Sequence, residues 1–205
     1  MNIVIIGCGK TGLRLAEKLD EMGYDVSVVD KDRRSFELLS EYFSGIVVSG
    51  VESDVEVLKN AGCENADAAV VVTDSDNLNI MIARILEIEF NLSEVYVRLL
   101  DPSRQSVFKK FGLKTVCPTK LETEILYSLV TNDSSNVGST LLGDTAIRFS
   151  SVKCDKRQIG KRLSEIKSKS HEMLFALEKK DGSIHLASEA GVYIEEGDHL
   201  IWAVI

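Results

Sequence analysis

The stretch GCGKTG, Gly7–Gly12, follows an apolar β-branched run, Ile3–Ile6, and precedes Leu13, Leu15, Ala16, Leu19 and Met22 at helical spacing. Two motifs overlap in it. The P-loop reading needs a glycine five positions before its Gly-Lys pair, and the residue five before Gly9 is Val4, inside the apolar run. No phosphate cradle of that kind can form. The alternative, G-x-G-x-x-G, requires a preceding strand and a following helix, and has both. Gly7 would make the tight turn, Gly9 would admit a pyrophosphate to the backbone, and Gly12 would let helix pack on strand. The helix start adds unpaired N–H groups and partial positive charge for phosphate.

An acid is expected at the end of the second strand, about twenty residues on. Asp30 closes DVSVVD there, placed to accept from both ribose hydroxyls of an adenosine and to repel a 2′-phosphate. NAD(H) or an adenine nucleotide (ATP, ADP or AMP) is therefore favoured over NADP. Lys31 follows directly. Arg33 and Arg34 keep NADP open, their other reading being solvated helix residues.

Working outward, strand and helix alternate about six times, the pattern of a doubly wound parallel sheet. Strands are expected at Ile46–Val48, Ala68–Val72, Val95–Leu99 and Thr115–Cys117. Helices are expected around Phe36–Phe43, Val55–Leu58 and Ile80–Ile88, from Pro102 to Phe111, and over Leu121–Val130. The alternation stops at the polar stretch TNDSSNVGS, Thr131–Ser139, read as a linker. Beyond it the chain turns β-rich. Strands are expected at Ala146–Val152 and in the closing HLIWAVI, and a short helix around Ile159, Leu163 and Ile166. A hairpin is expected about KKDGS and a turn at EEGD, Glu195–Asp198. The organisation is thus a Rossmann-like nucleotide-binding domain over 1–132, a linker over 133–139 and a small C-terminal α+β domain over 140–205.

In open α/β sheets ligands bind beyond the carboxyl ends of the strands. Thr73 and Asp74 of VTDSDN lie there, as do Gly50 after the third strand and Arg98 at the end of the fifth. Asp74, Ser75 or Asp76 would also serve as a helix N-cap, and Arg98 would reach phosphate or pair with a surface acid. Lys10 and Thr11 sit on the phosphate side of the glycine turn. Lys10 is either a point charge for a terminal phosphate or a solvated first-turn lysine. Cys8 reads as small filler, although helix-end polarity would lower its pKa and leave a redox role open.

Net charge is −8, which disfavours nucleic acid and anionic membrane surfaces as partners. The four cysteines, Cys8, Cys63, Cys117 and Cys154, stand singly, as small buried hydrophobes in a reducing cytoplasm. His171, His185 and His199 do not recur at metal-ligand spacing, and no Ser/His/Asp or Cys/His set is present, so neither a metal nor a catalytic residue is assigned. A small NAD-dependent oxidoreductase or a redox-sensing Rossmann protein is the alternative reading.

The stretches IVIIGCGKTGLRLAEKL, VSVVDKD, VVSGVESDVEVLKNAGCENADAAVVVTDSDNLN, YVRLLDPSRQSVFKKFG and PTKLETEIL resemble the RCK (regulator of potassium conductance) family. The likeness is to cytosolic subunits of Trk- and Ktr-type potassium uptake systems, and IGKRLSEI and EEGDHLIWAV resemble the family's C-terminal module. The resemblance implies a non-catalytic, nucleotide-sensing gating-ring subunit, cytoplasmic and peripheral to the inner face of the membrane. It implies dimer building blocks in a tetramer or octamer ring, or a paired RCK subunit, acting on a membrane-embedded potassium-translocating subunit. Carried over by position, Gly7, Gly9, Lys10, Thr11, Gly12, Asp30 and Thr73 would hold the nucleotide, with Cys8, Lys31, Gly50, Asp74 and Arg98 beside them. Family members tuned to ATP often carry arginine and glutamate where this chain has Lys10 and Thr119. Some relatives bind cyclic di-AMP in the C-terminal module; here that segment reads as a β-rich dimerisation module.

Overall fold

The computed structural model describes residues 1–131, 138–142, 145–168 and 172–204. Two compact units divide the chain, Met1–Lys120 and Leu121–Ile205, so the division falls inside the helix Pro118–Thr131.

In the first unit, six parallel strands are β1 (Asn2–Ile6), β2 (Asp25–Asp30), β3 (Ile46–Ser49), β4 (Ala68–Val71), β5 (Val95–Arg98) and β6 (Lys114–Val116). Their order is β3-β2-β1-β4-β5-β6. The order reverses between β1 and β4, and this is the topological switch point where such sheets leave a crevice. Ile3 lies beside Val26 on one neighbour and Ala68 on the other.

β1 is apolar throughout because both its faces are covered. Ile3 and Ile5 join Val26 and Val28 under Leu13 and Ala16 of α1 (Lys10–Glu21). Val4 and Ile6 join Ala69 and Val71 on the other face, with Leu58 of α2 (Val55–Asn60), Ile82 and Leu86 of α3 (Asp76–Glu89) and Phe108 of α4 (Gln105–Lys110). α5 is the helix Pro118–Thr131, which begins at the proline itself.

The helix expected around Phe36–Phe43 is not formed. The chain makes a 3-10 turn over Arg33–Leu38, capped by the Asp32 carboxylate accepting from Arg34 N–H. Phe36, Leu39 and Phe43 pack on the α1-side core, but Leu38 points outward, so the apolar residues do not form a helical stripe. The short helix around Ile159–Ile166 likewise reduces to a 3-10 turn, Leu163–Glu165.

The second unit holds an antiparallel sheet, β7 (Gly138–Leu142), β8 (Thr145–Lys153), β9 (Glu172–Glu178), β10 (Ile184–Leu186) and β11 (His199–Val204), in the order β10-β9-β11-β8-β7. Of the linker expected over 133–139, residues 133–137 lie outside the described residues. Gly138 and Ser139 belong to β7 and pair with Phe149 and Arg148 of β8. His171 and Ile205 also lie outside the described residues.

Leu163, Leu174, Leu177, Ile194, Leu200 and Trp202 form the core of this unit. KKDGS closes the β9–β10 hairpin, with Lys179 N–H donating to Ser183 O at 2.8 Å. EEGD is a turn organised by buried Asp198. Its carboxylate accepts from Glu195 N–H at 2.8 Å and pairs with Lys179 Nζ at 3.1 Å.

Candidate functional site

The glycine turn lies at the carboxyl end of β1, against the loop that leaves β4. Gly7 has φ +103°, and a Cβ there would sit 2.9 Å from the Thr73 nitrogen. Its own N–H donates to Val29 O at 2.8 Å. A Cβ on Gly12 would fall 1.8 Å from Gly7 O, so strand end and helix touch backbone to backbone. A Cβ on Gly9 would meet nothing within 4 Å. The open space is therefore over the middle glycine, where a pyrophosphate would approach, and the two closed positions frame it.

Asp30 is half-buried at the end of β2 and ties the crevice together. Its Oδ2 accepts from Cys8 N–H at 2.7 Å and its Oδ1 from Asp32 N–H at 2.8 Å. The acid expected to hold ribose thus also holds the glycine turn. Each carboxylate oxygen keeps a further lone pair for a hydroxyl. Asp30 O accepts from Gly50 N–H at 3.1 Å, which joins the end of β3 to the site. Gly50 is small because of packing: a Cβ would lie 2.5 Å from Val57 Cγ2. Lys10, Thr11 and Lys31 are exposed. Arg34 is committed to Asp32, which it meets through Nε and Nη2 at 3.0 and 2.8 Å.

Cys8 is filler rather than a reactive thiol. The side chain is buried, and its burial and the neighbouring Asp30 charge push the pKa up to about 11. The lowering expected from the helix end does not occur, because desolvation outweighs it. Burial likewise pushes Cys63 up to about 12 and Cys154 to about 11. Thiols of the unfolded chain ionise near 9, whereas these folded ones keep their protons. In that window the folded state binds more protons, so stability falls as pH rises from about 9 to about 12. Urea unfolding at intervals across that range should show the decline, and Cys8→Ala, Cys63→Ala and Cys154→Ala together should flatten it.

On the β4 side, VTDSDN is organised by a residue that sequence reading missed. Asn79 of α3 is fully buried. Its Oδ1 accepts from Thr73 N–H at 3.0 Å and from Thr73 Oγ1 at 2.6 Å. Its Nδ2 donates to Thr73 O at 3.1 Å and to Arg98 O at 3.0 Å. All the bonding capacity of one amide is spent joining the ends of β4 and β5. The signal was available: Asn79 precedes Ile82, Ala83 and Leu86 by three, four and seven positions on the buried helix face. Asp76 does similar work, accepting from Leu100 N–H at 2.7 Å and Asp101 N–H at 3.0 Å. Ser75 is the N-cap, its Oγ accepting from Leu78 N–H.

The hydroxyl of Thr73 is therefore engaged inside the fold rather than turned to a ligand. Arg98 reaches across the crevice. Its Nη2 donates to Thr73 O at 2.8 Å and Asp74 Oδ1 at 2.7 Å, and Nη1 lies 3.5 Å from Thr11 Oγ1. The surface acid expected for Arg98 is Asp74. The structure thus brings Gly7, Cys8, Gly12, Asp30 and Gly50 together around the glycine turn and the end of β2, and ties Thr73, Asp74 and, at the limit of a hydrogen bond, Thr11 to the guanidinium of Arg98. Among the described residues no cluster of three or more His, Cys, Asp or Glu could hold a metal ion, and no helix is long and apolar enough to cross a membrane.

A doubly wound parallel sheet with a glycine turn at its switch point and an acid at the end of β2 defines a Rossmann-type fold. The chain belongs to the TrkA-N domain family, whose model matches residues 3–118. It is 39% identical over 120 residues to the Trk system potassium uptake protein TrkA of Streptomyces coelicolor, a match covering 58% of this chain and 54% of that protein. It is 29% identical over 211 residues to the TrkA homolog of Pyrococcus abyssi, covering 99% of this chain and 92% of the relative. Among solved structures, the GsuK channel bound to NAD superposes with a TM-score of 0.58 at 20% identity, covering 99% of this chain and 36% of the channel chain. The AMP-bound C-terminal domain of Kef from Shewanella denitrificans gives a TM-score of 0.55 at 17% identity, covering 64% of this chain and 80% of that one. These two likenesses are likenesses of fold.

Proposed function

We propose that the chain is a nucleotide-sensing, non-catalytic regulatory subunit of a potassium uptake system or channel. The observation that carries this reading is the crevice itself: an open position over Gly9, framed by Gly7 and Gly12 and fastened to Asp30. NAD(H) or an adenine nucleotide would lie there. Its pyrophosphate would meet the start of α1, Lys10 and Thr11, and its ribose the Asp30 carboxylate, with Lys31 at the rim. The Trk names of the relatives and the NAD and AMP of the fold neighbours support the choice. The partner is a membrane-embedded potassium-translocating subunit, met at the inner face of the membrane. Residues 1–132 are the sensing domain and 140–205 a dimerisation module, with copies of the chain, or a paired RCK subunit, assembled into a ring.

A nucleotide moves such a ring only as far as it prefers one shape, typically by about 1–3 kcal/mol of coupling. The test is a calorimetric titration of the purified chain with NAD, NADH, ATP, ADP, AMP and NADP, with oligomer mass measured in each state. Binding of at least one adenine nucleotide, without hydride transfer or hydrolysis, and in a multi-subunit species is expected. Turnover of the cofactor with a small substrate would replace this reading with the oxidoreductase one.

A further inference from the structure

The guanidinium of Arg98 stands where a nucleotide phosphate would arrive, yet it is already partnered. The side chain is only 14% exposed, whereas the Asp74 side chain that pairs with it is 98% exposed. Its backbone carbonyl is held by Asn79, and Nη2 is fixed on Thr73 O, so the head cannot swing far from the start of α1. Nη1 lies 3.5 Å from Thr11 Oγ1, at the outer limit of a hydrogen bond, and the buried Nε has no partner among the described residues. A buried cation is thus balanced by one solvent-exposed carboxylate, while part of its donor fork is unused. Exposed carboxylate pairs of this kind are weak. A phosphate, with more charge and several acceptor oxygens, matches the fork better.

We propose that Asp74 is not a nucleotide ligand but a built-in competitor for the phosphate end of the site. Its carboxylate occupies Arg98, and an incoming phosphate displaces it. The displaced carboxylate stays on the same loop and repels the phosphates, so the penalty grows with phosphate charge. Asp74 therefore weights the site against ATP and toward less charged ligands such as NAD. The inference rests on the nucleotide-sensing reading and deepens it.

The test is calorimetric titration of the full chain and its Asp74→Asn variant with ATP, ADP, AMP and NAD at fixed salt. Asp74→Asn should tighten ATP by about tenfold and NAD by about twofold, with ADP and AMP between. Asp25→Asn, at the amino end of β2 and so at the far end of the strand from the crevice, changes net charge equally and should leave the ranking unmoved. In an Arg98→Gln background the gain from Asp74→Asn should shrink. Arg98→Lys, which keeps the charge and loses the fork, serves where Arg98→Gln does not fold. If the parent chain binds nucleotide and Asp74→Asn changes nothing, or tightens every ligand equally, the competitor role is overturned while nucleotide sensing stands. If neither parent nor variant binds any of the four, nucleotide sensing fails and the competitor role falls with it. Binding confined to the variant would support both.

Discussion

Gly12→Ala is expected to destabilise the first unit by about 3 kcal/mol or more, as overpacking against rigid neighbours does. The sign is the informative part. Alanine in place of glycine inside a helix ordinarily stabilises it by roughly 1 kcal/mol. Here the new methyl would lie 1.8 Å from Gly7 O, 3.0 Å from Gly7 C and 3.2 Å from Val72 Cγ2. Two of those atoms are backbone, in a turn that is itself pressed against Val72 and Thr73, so relief requires α1 to lift from the sheet. Gly9→Ala is the matched comparison, because its methyl meets nothing within 4 Å. That variant should unfold like the parent in urea and lose nucleotide affinity, since the methyl fills the space a pyrophosphate needs. Equal stability of Gly12→Ala and parent would refute the backbone contact.

Asp30→Ala is the second large effect, and it is expected in two readouts at once. The substitution leaves Cys8 N–H and Asp32 N–H without the acceptors now 2.7 and 2.8 Å away. A buried donor stripped of its partner costs about 1–3 kcal/mol, which should appear as a lowered unfolding midpoint. The lost hydrogen bonds from ribose to a charged acceptor should weaken nucleotide binding roughly 100-fold. If the proposed membrane partner is present, nucleotide-dependent potassium flux through it should disappear at the same nucleotide concentration. Because both effects share one residue, titration has to be run well below the unfolding midpoint. Undiminished affinity in that variant would remove Asp30 from the site and leave it a support for the glycine turn.

The first unit was legible because its signals are local. An apolar run such as Ile3–Ile6 describes a strand covered on both faces, and the glycines mark the turn that follows. The segment after β2 misled because Phe36, Leu39 and Phe43 are indeed inward, but on a 3-10 turn and loop rather than a helix face. Gly138–Leu142 was missed because its small polar start, Gly138–Thr140, carries no alternation, and its pairing with β8 is what makes it a strand. In the site, the glycines and Asp30 announced themselves by spacing. The bond between Arg98 and Asp74 joins residues 24 positions apart on different strand ends, and no spacing rule encodes it. Nor does one say that the Thr73 hydroxyl turns inward to Asn79.

The Asn79 amide has a consequence for which sequences this crevice can tolerate. Aspartate in its place would set a carboxylate against the carbonyls of Thr73 and Arg98, and leucine would strand a buried N–H. Glutamine carries both halves of the amide but one methylene too many for a fully buried cleft. The neighbours on the rim, Lys10, Asp74 and Lys31, face solvent and can be exchanged one at a time. Ligand preference can therefore drift by single substitutions around a fastening that cannot itself be replaced stepwise.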